Sequence, residues 1–261
     1  MDLFGTAGIR GPVTDTVTPN LALRVGAAAG ADGGEFVIGR DGRTSSEGLA
    51  DALAAGLISA GAAVRRVGVV PTPALAFASQ GRRGAMITAS HNPPGDNGIK
   101  LFEDGVEYDR EQESVLEARI DADAGLAAWA DWGGGESAAV LPNYRRAVAD
   151  YAAGHGADPD GLAVAVDCGT GTAGLATPQI LTSLGARVHA LNANVDGHFP
   201  ARESKPTAAS LADLRAYVAE SDVAMGLGHD GDGDRLVVVE GEGEDVHEDT
   251  VLAALAHHYV R

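Results

Sequence analysis

GAMITASHNPPGDNGIK occupies residues 84–100. Its apolar start, 84–88, has the length and the flanking turn residues of a buried strand. The strand ends in a turn dense in Pro, Gly, Asn and Asp, residue types that fix a loop backbone and keep it at the surface. Ser90 sits in that turn between Thr88 and His91, and reads as a presented nucleophile or phosphate carrier. A second strand-to-loop unit follows about 140 residues later, where the strand pattern 222–227 runs into DGDGDR at 230–235.

Outward from these two loops, strand and helix patterns alternate. A strand over 35–40 is followed by the capping residues Thr44, Ser45, Ser46 and Glu47 of a helix reaching 60. Then come a strand over 64–70, a short helix over 73–79 and the strand 84–88. Gly133, Gly134 and Gly135 mark a boundary within 123–140, and a helix over 143–153 bridges to the second half. There the plan repeats: strand 162–167, helix to 184, strand 186–191, helix 209–219, strand 222–227. Segment 56–69 echoes 179–192, and 84–98 echoes 223–235. Strands separated by helices predict parallel sheets in an α/β layer structure, and the echoes predict a duplicated unit.

The bulk numbers narrow the function. The chain has 261 residues, enough for two ordinary domains, and 45% hydrophobic content. Asp and Glu total 37 against 19 Lys and Arg, a net charge of −18. Such a surface repels nucleic acid and anionic membranes, so neither is an expected partner. The acidic, Ala-rich, Lys-poor balance is that of a halophilic protein. No apolar run approaches membrane-span length, MDLFGTAGIRG is not a signal peptide, and Cys168 is the single cysteine. A reducing cytoplasmic location is expected.

Several motifs carry chemistry. Asp230, Asp232 and Asp234 alternate with glycines, which crowds three carboxylates and calls for a cation. Hard oxygen ligands select Mg²⁺ or Ca²⁺. An EF-hand is rejected, because its sixth position holds Arg235 instead of Gly and its twelfth holds Gly241 instead of Glu. GTGTAG at 169–174 is a literal G-x-G-x-x-G, but the expected ribose-binding acid is missing, since Ala190, Leu191 and Asn192 stand there. It reads as a tight strand-to-helix turn. Arg10 and Arg43 lie in Gly-rich loops, where a guanidinium reaches an anion or makes a surface ion pair. Lys100 is one of only two lysines, ten residues past Ser90, and suits a group whose proton can be removed. The residues alone leave open a Mg²⁺-dependent phosphatase with Asp230 as nucleophile.

GTAGIRG at 5–11, TASHNPPGDNGIK at 88–100 and DGDGDR at 230–235, in this order and spacing, resemble the α-D-phosphohexomutases, the phosphoglucomutase and phosphomannomutase superfamily. The resemblance implies two similar α/β domains with mixed or parallel sheets. These are the first two of the family's four, at 1–140 and 141–243, with 244–261 as a short stub of the third. It implies that Ser90 carries the phosphoryl group, and that Asp230, Asp232 and Asp234 bind Mg²⁺ with a phosphoserine oxygen at Ser90 completing the metal site. Lys100 would be the proton acceptor and His91 a positioning or proton-handling residue, while Arg10 and Arg235 neutralise phosphate charge. The implied substrate is a hexose phosphate, of glucose or mannose, passing through a hexose bisphosphate. Pro93 and Pro94 look closer to the glucose and mannose mutases than to the glucosamine mutases. Two departures stand out: segment 199–206 lacks the Pro-Glu-Pro often found there, and the sugar-recognition and phosphate-binding loops of the later domains have no counterpart. An alternative expectation is therefore a metal- and phosphate-binding fragment that self-associates or works with a partner chain.

Overall fold

Two three-layer units make up the computed structural model, which describes residues 3–5, 8–122 and 125–259, without the side chain of Tyr259. The first unit spans 1–144 and the second 145–261. Thr6 and Ala7 of the GTAGIRG motif lie outside the described residues.

In the first unit β1 (Ile9–Pro12) precedes α1 (Pro19–Gly30), β2 (Glu35–Arg40), α2 (Ser46–Ser59), β3 (Ala63–Val69), α3 (Thr72–Ala78) and β4 (Arg83–Ile87). After the Ser90 turn come β5 (Asp96–Glu103), β6 (Val106–Glu107), α4 (Arg110–Asp121) and β7 (Gly135–Ser137). Helix α5 (Leu141–Gly154) starts in this unit and continues in the next. Strand order is β1-β5-β4-β2-β3-β7, with β6 on β5. β2, β3, β4 and β7 pair in parallel, whereas β1, β5 and β6 pair antiparallel.

The second unit repeats this core. It contains β8 (Ala163–Asp167), α6 (Thr177–Ser183), β9 (Arg187–Leu191), α7 (Ala212–Glu220), β10 (Met225–His229), β11 (Leu236–Glu240), β12 (Asp245–Val246) and α8 (Glu248–Tyr259). Its order, β12-β11-β10-β8-β9, carries the same run as β6-β5-β4-β2-β3. β8, β9 and β10 are parallel, and β11 returns antiparallel beside β10 as β5 does beside β4. The sheets are thus mixed, not wholly parallel. The antiparallel returns begin with Asp96 and Asn97 and directly after Arg235, where turn-forming and charged residues hide a strand start.

Alternation along the strands explains the layers. Phe36 and Ile38 of β2 pack with Ala85, Ile87, Ile99 and Leu101 under α1, α2 and α4. Val37 and Met86 face the other way, toward Ala74 and Leu75 of α3. Each buried Val, Leu, Ile, Phe or Met side chain among these contributes about 1.5–3 kcal/mol. Helix α1 is started by Thr18, whose hydroxyl accepts from Leu21 N at 3.2 Å, with Pro19 at the first helical position. α1 and α2 touch backbone to backbone, for a Cβ on Gly26 would stand 2.2 Å from Leu53 O and one on Gly56 2.1 Å from Leu23 O. In the second unit, Ala163 and Ala165 face α7 while Val164 and Val166 face the opposite layer. No helix of the described residues is long and apolar enough to cross a membrane.

This topology selects two places for chemistry. In the first unit the chain runs from β2 to β3 on one side, then crosses back to β4 on the other. The strand order reverses between β2 and β4, and ligand crevices in open α/β sheets form at the carboxyl ends of strands at such a switch. The Ser90 turn leaves β4 there. The corresponding switch in the second unit lies between β8 and β10, where the DGDGDR loop leaves β10.

Candidate active-site residues

The Ser90 loop is built around a buried cation. Arg43 is 1% exposed, and its five guanidinium N–H groups are all used. Nε donates to Asp41 Oδ2 at 3.0 Å. Nη1 donates to Pro93 O and to Asp96 O, the latter at 3.0 Å. Nη2 donates to Ser90 O at 2.9 Å and Asn92 O at 2.8 Å. Asp41 follows β2 and is itself fully buried, accepting from Arg43 N at 3.0 Å, Ser46 Oγ at 2.6 Å and Thr88 Oγ1 at 2.8 Å. Burial pushes the Asp41 carboxyl up, and the Arg43 charge with these donors pulls it back. Arg43 therefore neither reaches for an anion nor makes a surface ion pair. It is the core of the loop.

Ser90 differs from the surface hydroxyl expected of a turn. Pro93, Pro94 and Gly95 are exposed, but Ser90 is completely buried. The cause is its backbone, whose N–H donates to Thr88 Oγ1 at 2.9 Å and whose carbonyl faces Arg43. This holds Ser90 at φ +51°, a left-handed conformation rare for residues with a Cβ. Its Oγ lies 3.3 Å from Nδ1 of half-buried His91. Arg10 on β1 stands opposite Gly98, and Lys100 stands opposite Met86. Residues 98 and 100 share one face of β5, so Arg10 and Lys100 project from the same side of the sheet. Thr88 N donates to Gly98 O at 3.0 Å, which ties the Ser90 loop to that corner. Lys100 is 3% exposed, and its Cγ would lie 3.1 Å from a Cβ on Gly8. Ser90, His91, Arg10 and Lys100 are thus gathered at one end of one sheet.

In the second unit, Asp230, Asp232 and Asp234 each offer a carboxylate oxygen, all within 4.8 Å of one another. The first two are buried and the third is exposed. Anions this close and this dry are stabilised by a cation, and three hard oxygen donors fit a divalent ion such as Mg²⁺. Arg235 is exposed, and its N–H closes the loop by donating to Asp230 Oδ1 at 3.2 Å.

Four braces hold this loop, and only the glycine-rich turn among them is singled out by sequence pattern. His229 Nδ1 lies 3.0 Å from Arg235 O, and its Nε2 lies 3.0 Å from Thr177 Oγ1. A carbonyl only accepts, so Nδ1 carries the proton and Nε2 accepts from the threonine. Burial pushes the His229 pKa down, in keeping with this neutral ring. Arg202 Nη2 donates to His229 O at 2.6 Å while its Nε donates to Asp167 Oδ2 at 2.7 Å. The carboxylate of Asp167, 1% exposed at the end of β8, also accepts from Gly169 N and Asn192 Nδ2. The glycine-rich turn 169–172 backs the acidic loop as well. Thr172 N donates to Gly231 O at 3.0 Å, and a Cβ on Gly171 would meet that oxygen at 2.6 Å. The literal nucleotide pattern is a structural support.

Comparisons with known proteins agree with this architecture. A family profile described as phosphoglucomutase/phosphomannomutase, alpha/beta/alpha domain I, matches residues 1–125, and the profile for domain II matches 143–243. A phosphopentomutase of Thermococcus kodakarensis is 44% identical, covering 100% of this chain and 58% of its own length. A probable phosphoglucosamine mutase of Methanocella arvoryzae is 42% identical over 97% of this chain and 57% of its own. Among solved structures, a phosphoglucomutase/phosphomannomutase family protein from Burkholderia thailandensis superposes with a TM-score of 0.89 at 32% identity, covering 99% of this chain and 59% of that one. The chain spans less than two thirds of the length of these relatives.

Proposed function

Because the chain belongs to the phosphoglucomutase/phosphomannomutase family, we propose that it moves a phosphoryl group between the 1- and 6-positions of a hexose phosphate through Ser90 and Mg²⁺. The observation that carries this reading is the Ser90 hydroxyl beside His91 Nδ1, on a residue whose backbone N–H and carbonyl are both hydrogen-bonded. The three-carboxylate cluster at the equivalent loop of the other unit supports the metal. In this reading 1–140 is the family's first domain, 141–243 its second, and 244–261 the beginning of its third.

A sugar hydroxyl oxygen attacks the phosphorus carried on Ser90, the bond from phosphorus to Ser90 Oγ breaks, and a sugar bisphosphate forms. After reorientation, Ser90 Oγ attacks the other phosphorus and the sugar oxygen leaves. Lys100 accepts the proton of the attacking sugar hydroxyl, and His91, next to Oγ, handles the serine proton. Arg10 and Arg235 offset the charge of about −1.5 to −2 that a phosphoserine brings. Asp230, Asp232 and Asp234 would hold the metal, which would supply a Lewis acid to draw charge from the transferring oxygens.

Intact-mass spectrometry tests the reading. After incubation with glucose 1,6-bisphosphate and Mg²⁺, the chain gains one phosphoryl group, and Ser90→Ala gains none. A Ser90→Ala protein that still takes the phosphoryl group sinks the assignment. Glucose, mannose, glucosamine and ribose 1-phosphates offered to the phosphorylated chain identify the sugar by which one discharges it. Discharge by glucose or mannose phosphate is expected, and discharge by ribose phosphate alone overturns the hexose assignment.

A further inference from the structure

The Ser90 loop has an unusual construction, with its carbonyls turned inward onto a side chain from another strand's loop. We infer that Arg43, held by Asp41, is the positioning residue for the Ser90 hydroxyl, a role that rests on the phosphoserine reading above. Four of the five guanidinium donors go to carbonyls of residues 90, 92, 93 and 96, and the fifth goes to the carboxylate at the end of β2. A planar fork with five fixed directions specifies where each of those carbonyls lies. Lysine, with three donors on one nitrogen, cannot serve four carbonyls spread over seven residues.

Ser90 is where this matters. Its left-handed φ of +51° is unfavourable for a residue with a Cβ and persists only where the surroundings over-determine it. Two contacts do so, Arg43 on its carbonyl and Thr88 Oγ1 on its N–H, and both converge on Asp41, which accepts from Arg43 and from Thr88 Oγ1. The Asp41 carboxylate thus fixes both peptide groups of Ser90 and, through them, the direction of Oγ toward His91. Asn97, next to the loop, donates to Ser45 Oγ and Ser46 Oγ at 2.9 Å, and Ser46 in turn donates to Asp41. The start of α2 is therefore part of the same frame. Arg43 does not touch the reacting atoms; it acts through the backbone of Ser90.

The test compares wild type with Arg43→Lys, and with the double variant Asp41→Asn/Arg43→Met, which removes the ion pair without stranding a charge. Every protein is assayed well below its own unfolding midpoint. Single-turnover phosphorylation of Ser90 by glucose 1,6-bisphosphate and Mg²⁺ is followed by intact mass. The maximal rate is expected to fall about 100-fold in both variants, the usual consequence of misplacing a reacting group by about 1 Å. The half-saturating bisphosphate concentration and the Mg²⁺ affinity by calorimetry are expected to stay within about threefold. Hydrogen exchange at the Asn92 and Asp96 amides, which donate to Ala89 O and Pro93 O, is expected to quicken at least about tenfold, reporting local opening. Unchanged exchange at those amides overturns the inference, and so does a near-wild-type maximal rate in a variant whose loop has loosened. If wild type itself takes no phosphoryl group, the phosphoserine reading fails, and with it the catalytic part of this inference. Exchange then still decides whether Arg43 holds the loop.

Discussion

The two units solve one mechanical problem with the same parts taken from different places. Each sheet has a buried Asp at the end of its first central strand, Asp41 after β2 and Asp167 on β8. Each Asp holds an Arg with a buried side chain that donates to a carbonyl at or just past the end of the third strand, Ser90 in one unit and His229 in the other. In the first unit the Arg comes two residues after the Asp; in the second it comes 35 residues later. The loops so held carry opposite chemistry, a hydroxyl near His91, Arg10 and Lys100 against three carboxylates. Topology and bracing persist between the halves while the side chains that do chemistry diverge. A loop that must present one geometry needs a rigid anchor, and a switch point between parallel strands supplies it in both.

The largest effect should come from breaking either anchor. Arg202→Met strands the Asp167 carboxylate, and removing one partner of a buried pair costs about 3–5 kcal/mol. Arg43→Met should cost a similar amount in the other unit. Denaturant-dependent hydrogen exchange resolves the two, reading amides of β8 and β10 for one and of β2 and β4 for the other. The double variant Asp167→Asn/Arg202→Met should recover most of the loss, because no charge is left buried alone. If Arg202→Met shifts its unit by less than about 1 kcal/mol, the two pairs are not equivalent devices and the comparison breaks.

A smaller effect separates the supports peculiar to the second loop. Gly171→Ala would press a methyl group against Gly231 O, 2.6 Å away, and Asp230 O, 3.0 Å away. Overpacking of this kind costs about 1–3 kcal/mol. Here the strain falls on the acidic loop, so Mg²⁺ affinity by calorimetry should drop by about tenfold, or about 1.4 kcal/mol. Gly48→Ala is the control, since nothing lies within 4 Å of its added carbon inside α2. That change should stabilise by about 0.5–1 kcal/mol and leave Mg²⁺ binding alone. Unaltered metal affinity in Gly171→Ala would mean that the glycine-rich turn does not support the loop.

The contrast between the anchors also explains what could be read in advance. The duplicated α/β plan was legible because apolar strands such as 35–40 and 162–167 stand between turn residues, and because the two loops echo each other. Ser90, His91 and the three aspartates were legible as motifs of chemically loaded residues at short spacing, and Lys100 by the scarcity of lysine. Burial of Ser90 was not, since a turn composition predicts exposure and says nothing of a guanidinium underneath. Arg43 was visible as a loop arginine, but its role depends on carbonyls about 50 residues away. Arg202 and His229 carry no local signature, for their partners are set by how β8, β10 and the 199–206 segment meet. β5 was hidden by starting with Asp96, Asn97 and Gly98, residues that usually end strands.

The smallest effect concerns an ion pair outside both anchors and shows why burial decides the sign. Arg119 meets Asp32 at 2.7 Å with both side chains solvated, and this contact holds the Asp32 carboxyl below its usual range. Asp41 has a guanidinium partner too, yet burial drives it the opposite way. An exposed pair contributes about 0.2–1 kcal/mol, so Asp32→Asn should cost less than about 1 kcal/mol near pH 7. A lowered folded value means that this contribution is fully present above the unfolded carboxyl value of about 3.9 and is lost as pH falls through the folded one. Urea unfolding of wild type and Asp32→Asn should therefore converge at acid pH, and at neutral pH in high salt, where exposed charges are screened. A loss as large as that of Arg202→Met would show that solvated and buried pairs brace this fold equally. The two internal anchors would then lose the distinction that burial confers on them.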